Sequence, residues 1–119
     1  MERVFFTHHK GKKILIIDAS NCKHDESLAV ISRAKQIIQS QPLNSVYTYT
    51  DTTNTMYNAE LSSAMKEYVA GNKPYVKAAA SVGTSGLKQI LYNALLKFSG
   101  RNIKLFDNKQ QALDWLASQ

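Results

Sequence analysis

The chain has 119 residues, 44% of them hydrophobic, and a formal net charge of +6. A chain of this size buries about two-thirds of its unfolded surface, enough for one core without metals or disulfides, so residues 1–119 are expected to form a single domain. A single cysteine, Cys22, excludes an internal disulfide framework, and no apolar run approaches the ~20 residues of a membrane helix.

The unpaired cysteine and the absence of a signal-like N-terminus set the expected location as cytoplasmic. The charge is unevenly placed. Residues 1–70 hold eight Lys/Arg against seven Asp/Glu, and residues 71–119 hold seven against two. This asymmetry fits an acidic or phosphate-bearing partner, and it equally fits a solvated basic surface. Nucleic acid is not favoured, because there is no Arg-rich run and no set of aromatics spaced for stacking bases.

Taken in order, Arg3 to Thr7 reads as a strand and His8 to Lys12, polar with a glycine, as a turn. Lys13 to Asp18 is a continuous aliphatic run of strand length, which suits a strand buried on both faces. The two strands are expected to form an antiparallel hairpin. Asp25 and Glu26 then lead a helical stripe of Leu28, Ile31, Ala34, Ile37 and Ile38 that Pro42 ends. Val46 to Thr50 is β-branched and aromatic, hence a strand.

Asn58 is placed to cap a helix carrying Leu61, Ala64, Met65, Tyr68 and Val69, with Gly71 as its stop. Tyr75 to Val82 is the next strand. The turn Gly83-Thr84-Ser85-Gly86 delivers it to the clearest amphipathic pattern in the chain, Leu87, Ile90, Leu91, Ala94, Leu95 and Phe98, closed by Gly100. Asn102 to Phe106 is a short strand. Asp107 with Gln110 forms a capping box for the last helix, where Ala112, Leu113 and Leu116 face inward and Trp115 covers the edge. The order is ββαβαβαβα. Right-handed crossovers wind four strand–helix units, a four-turn βα superhelix, onto a mostly parallel sheet flanked by helices.

In open parallel sheets, ligands gather outside the carboxyl ends of the strands. Three such ends are polar: Asp18 to Asn21, Thr50 to Thr55, and Ser81 to Gly86. The topology puts them on one edge. Ser20, Asp51, Thr52, Thr53, Asn54, Gly83, Thr84, Ser85 and Gly86 are therefore the candidate residues for a ligand or partner. Backbone N–H groups at a helix start, with Lys88 one turn on, are suited to an anion. The Gly83–Gly86 turn lacks the Gly-Lys-Ser/Thr ending of a P-loop, so it equally serves as a packing turn.

Asp18 and Asp51 admit an enzymatic alternative in which they hold Mg²⁺ for phosphate chemistry, set against capping of the turns that follow them. His8, His9 and His24 fall in predicted turns and read as solvated. Cys22 lacks an activating partner in sequence and reads as a buried thiol. No cofactor is expected.

The segments KGKKILIIDAS, SVYTYTDTTNT, NKPYVKAAASVGTSGLKQI and FSGRNIKLFDNKQQALDWL resemble the STAS domain, the fold of bacterial anti-anti-sigma factors. They are more similar still to the SpoIIAA-like group of stand-alone bacterial STAS-related proteins, grouped by fold with CRAL-TRIO lipid-binding domains. The resemblance covers nearly the whole chain. It implies a non-enzymatic regulatory domain that binds a protein partner, such as an anti-sigma-like kinase, or a small anionic or lipid ligand.

In that family a Ser or Thr at the start of the helix after a central strand is phosphorylated, and the added charge repels the partner. The family motif reads Asp-Ser-Ser-Gly-Leu. By strand order it falls on Asp51-Thr52-Thr53-Asn54, where Gly-Leu is missing. By letters it falls on Thr84-Ser85-Gly86-Leu87, one strand later. Thr53 and Ser85 are thus both possible phosphorylation positions. Tyr57 and Tyr68 either extend the partner surface or sit at the edge of the core, and the basic C-terminal half and the N-terminal hairpin are compatible with a homodimer.

Overall fold

A computed structural model describes residues 3–56, 58–83 and 103–119. In chain order these form β1 (Val4–His9), β2 (Lys12–Asp18), α1 (His24–Ile38), β3 (Val46–Asp51), α2 (Ala59–Asn72), β4 (Val76–Val82), β5 (Lys104–Phe106) and α3 (Lys109–Ala117). The expected helix over Leu87 to Phe98, its stop Gly100, Lys88, Tyr57 and the turn residues Thr84, Ser85 and Gly86 lie outside the described residues.

The five strands make one sheet in the order β1-β2-β3-β4-β5. β1 runs antiparallel to β2, and the other pairs are parallel. This is the mostly parallel α/β sheet that the sequence predicts. The hairpin is tighter than expected. Lys10 and Gly11 alone make the turn, both with positive φ (52° and 81°), so His8, His9 and Lys12 belong to the strands.

The aliphatic run of β2 is buried on both sides because its residues alternate between two cores. Leu15 and Ile17 face a core built with Val30, Ala34 and Ile38 of α1 and Leu61, Met65 and Val69 of α2. Ile14 and Ile16 face the opposite core, where Tyr49, Ala80 and Val82 meet Ala112, Leu113 and Leu116 of α3. Burying side chains such as Leu113 and Leu116 contributes about 1.5–3 kcal/mol each. α1 and α2 thus cover one face and α3 the other. Trp115 sits at the edge as expected, its ring 5.7 Å from that of Phe106.

Three local expectations are corrected. α2 runs through Gly71 to Asn72, because the backbone at Gly71 is not in the left-handed conformation that would stop the helix there. The cap of α3 is Asn108, whose side chain accepts from Gln111 N at 2.9 Å, one residue after the expected Asp107. Tyr68 is 8% exposed and belongs to the core between α1 and α2, so it adds no partner surface. Asn58 caps α2 as predicted, accepting from Leu61 N at 2.8 Å. Among the described residues, no helix is long and apolar enough to cross a membrane.

Candidate functional site

The ends of β2, β3 and β4 meet on one edge, as the topology requires. Asp18 lies opposite Asp51, and Asp51 opposite Val82. Beyond these pairs the loops continue to hydrogen-bond. Ala19 N donates to Asp51 O at 2.9 Å, Asn21 N to Thr53 O at 2.8 Å, and Met56 N to Cys22 O at 3.2 Å. Thr52 binds β4 twice, its amide and its hydroxyl both donating to Val82 O at 3.0 Å. Thr55 Oγ1 donates to Ala19 O at 2.8 Å. The buried hydroxyls Thr52 and Thr55 therefore tie the loops down, while Thr53, Asn54 and Asn21 stay exposed above them.

Asn21 and Asn54 both take the left-handed backbone conformation, with φ of 58° and 55°. Short amide side chains tolerate it better than most residues. Asn54 Nδ2 donates to Asn21 Oδ1 at 3.1 Å, closing a bridge between the two loops. Gly83 is needed beside them. Its φ is +83°, and a Cβ there would lie 2.7 Å from Thr53 Cα and 2.6 Å from Thr53 Oγ1. The glycine lets the end of β4 press against Thr53.

Both aspartates are bound into turns. Asp18 Oδ1 accepts from Ser20 N at 3.0 Å and from Ser20 Oγ at 2.5 Å. Asp51 Oδ1 accepts from Thr53 N at 2.9 Å. Each carboxylate holds the residue two positions on, which is the capping role open to an aspartate just past a strand. Arg3 completes this end. It donates to Asp18 O at 3.2 Å and Ser20 O at 3.1 Å, and lies 3.7 Å from Asp18 Oδ1. Sequence reasoning missed Arg3, because only the antiparallel return of the hairpin puts the residue just before β1 beside the last residue of β2.

Tyr49, 3% exposed, stands two residues before Asp51 on the same face of β3. Burial first, then the Asp51 and Asp18 carboxylates, push its hydroxyl up to about 12. Cys22 is fully buried under the loops, and burial pushes its thiol up as well. It is a packing residue, as expected. None of the three histidines lies in a turn: His8 and His9 belong to β1 and His24 opens α1. His9 is not simply solvated: its Nε2 lies 2.7 Å from Asp114 Oδ1 on α3.

The edge is a surface more than a pocket. The strand order steps one way only, so the described sheet has no switch point at which connections diverge to open a crevice. Beneath the loops, between the sheet and α1 and α2, a cavity of about 20 Å³ lies among Ser27, Thr52, Thr55 and Tyr68, room for one water. A cleft of about 250 Å³ lies between α1 and α2, lined by Leu28, Ile31, Lys35, Ala64 and Glu67 among others, and none of the strand-end residues reaches it. The structure therefore brings Ser20, Asp51, Thr52, Thr53, Asn54 and Gly83 together, with Thr52 buried and the rest at or near the surface. Met56 adds an apolar side chain, 55% exposed, beside Asn54. No family model, no curated protein and no solved structure matches this chain.

Proposed function

We propose that this chain is a STAS-like, non-enzymatic regulatory domain that binds a protein partner through the loops at the ends of β2 and β3. The observation that carries the reading is the contrast within those loops. Buried Thr52 and Thr55 and the turn carboxylates Asp18 and Asp51 hold the backbone. Asn21, Thr53, Asn54 and Met56 are left exposed on top of it. A firm, shallow surface with amides, a hydroxyl and one apolar side chain suits a macromolecular partner, because little ordering entropy is lost on docking. A small ligand would need a deeper recess.

Regulation by phosphorylation is supported at Thr53 by its exposure and its neighbours. Thr53 N is held by the Asp51 carboxylate, so a phosphate on this residue brings two further negative charges beside an existing one. Thr53 lies in the loop ahead of the cap Asn58, away from the start of α2, so the charge acts by repelling the partner and not by binding the helix end. Ser85 lies outside the described residues.

The experiment is affinity capture with the wild-type chain, mass-spectrometric identification of what is retained, and titration of that protein against Thr53→Glu and Met56→Asp. Both substitutions are expected to weaken binding at least roughly tenfold while circular dichroism stays unchanged. Equal affinity for the wild type and both variants would remove these loops from any role in binding.

A further inference from the structure

The outer edge of β1 carries an inference that does not depend on the strand-end loops. Asp18 N donates to Arg3 O at 2.8 Å, and Val4 lies opposite Ile17 in the antiparallel register. Hydrogen-bonded and non-hydrogen-bonded pairs alternate along such a ladder. Arg3, Phe5, Thr7 and His9 therefore turn their backbone groups toward β2. Val4, Phe6 and His8 turn theirs outward. β1 ends the strand order, and no described segment pairs with its outer side. From Val4 to His9 it contains no proline, no Lys, Arg, Asp or Glu, and no register shift. Those are the usual devices that blunt an edge. The opposite edge, β5, is three residues long and begins with Lys104.

We infer that β1 pairs with β1 of a second copy of this chain, antiparallel about a two-fold axis at Phe6. The outward groups lie on three alternate residues with Phe6 in the middle. Phe6 against Phe6, with Val4 against His8 in both directions, is the register that uses all three. A slip of two residues leaves one residue on each copy unmatched. The interface is then self-complementary, as a two-fold contact must be. The side chains agree with it. Phe5, 41% exposed, comes opposite Thr7 of the second copy in a close non-hydrogen-bonded pair. Phe6, half-buried with Lys13 Nζ 4.3 Å from its ring centroid, meets its own copy on the α1 face. The two sheets join into one.

A one-strand seam is smaller than a standard interface, so association is expected on the order of 10–100 µM. Both copies carry +6, so added salt strengthens it by screening their repulsion.

Sedimentation equilibrium of the full chain from about 1 µM to 1 mM tests this. The expected average mass rises from 13.3 kDa toward twice that value, at lower concentration in higher salt. His8→Pro deletes an outward N–H and leaves every β1–β2 hydrogen bond in place. It is expected to weaken the dimer roughly tenfold or more. If that variant fails to fold, Phe5→Cys with Thr7→Cys is expected to cross-link under mild oxidation, since opposed residues of such a pair have Cα atoms about 4.5 Å apart. Phe5→Cys alone is expected to cross-link far less. A wild-type mass that stays at 13.3 kDa to the highest concentration would overturn the inference. So would undiminished association of folded His8→Pro, or equal cross-linking by the single and double cysteine variants.

Discussion

At the scale of single residues, the strand-end surface depends on positions that contribute shape and not reactivity. Gly83 is the sharpest case. Its positive φ and its closeness to Thr53 each oppose a side chain, so Gly83→Ala is expected to cost roughly 1–3 kcal/mol. Urea unfolding monitored by circular dichroism measures it, and a cost near zero would mean that β4 does not press on Thr53. The glycine was recognisable in the sequence as a turn residue. Its partner was not, because Thr53 lies in the loop after a different strand and nothing local points to it. The two aspartates show the reverse. Asp18 and Asp51 stood out as possible ligands, yet each is bound to the amide two residues on, a purely local bond that any aspartate after a strand can form.

At the scale of elements, periodicity predicted the described strands and helices, and capping chemistry adjusted their ends. α3 is the instructive one. Both Asp107 and Asn108 are competent caps by type, but the side chain that accepts from the first turn is that of Asn108. Asn108→Ala is expected to cost about 1 kcal/mol, and Asp107→Ala only a few tenths. Thermal unfolding of the two variants separates them, and equal losses would contradict the observed cap. The hairpin turn gives a similar lesson. His8 and His9 are polar and adjacent, which suggested a loop. Lys10-Gly11 in the left-handed conformation closes a two-residue turn whose twist matches the strands, and this draws both histidines into the ladder.

At the scale of the whole molecule, α3 closes the second face of the sheet and is held to the hairpin by charge as well as by packing. Asp114 accepts from His9 at 2.7 Å and from Gln110 at 3.1 Å, and lies 3.1 Å from Lys10 Nζ. His9 first, then Gln110 and Lys10, hold its carboxyl well below the ordinary value of 3.8. A depressed carboxylate stabilises the fold above its unfolded pKa, and that contribution disappears as pH falls through the depressed value. The acid limb of stability below pH 3.8 is therefore expected to be shallower in Asp114→Asn than in wild type, read from urea midpoints across pH. Identical pH profiles would show that the contact carries no linkage. The sequence by itself determined the α/β class, the described strands and helices in their order, the mostly parallel sheet and the polar character of its carboxyl edge. Those follow from periods of two and 3.6 residues and from turn chemistry, which are local. Tertiary structure decided which polar residues stay exposed, that Arg3 returns to the end of β2, that His9 grips α3, and that β1 turns the backbone groups of three residues away from β2. Those depend on register between segments far apart in the chain, and register is set only when two buried faces are packed at once.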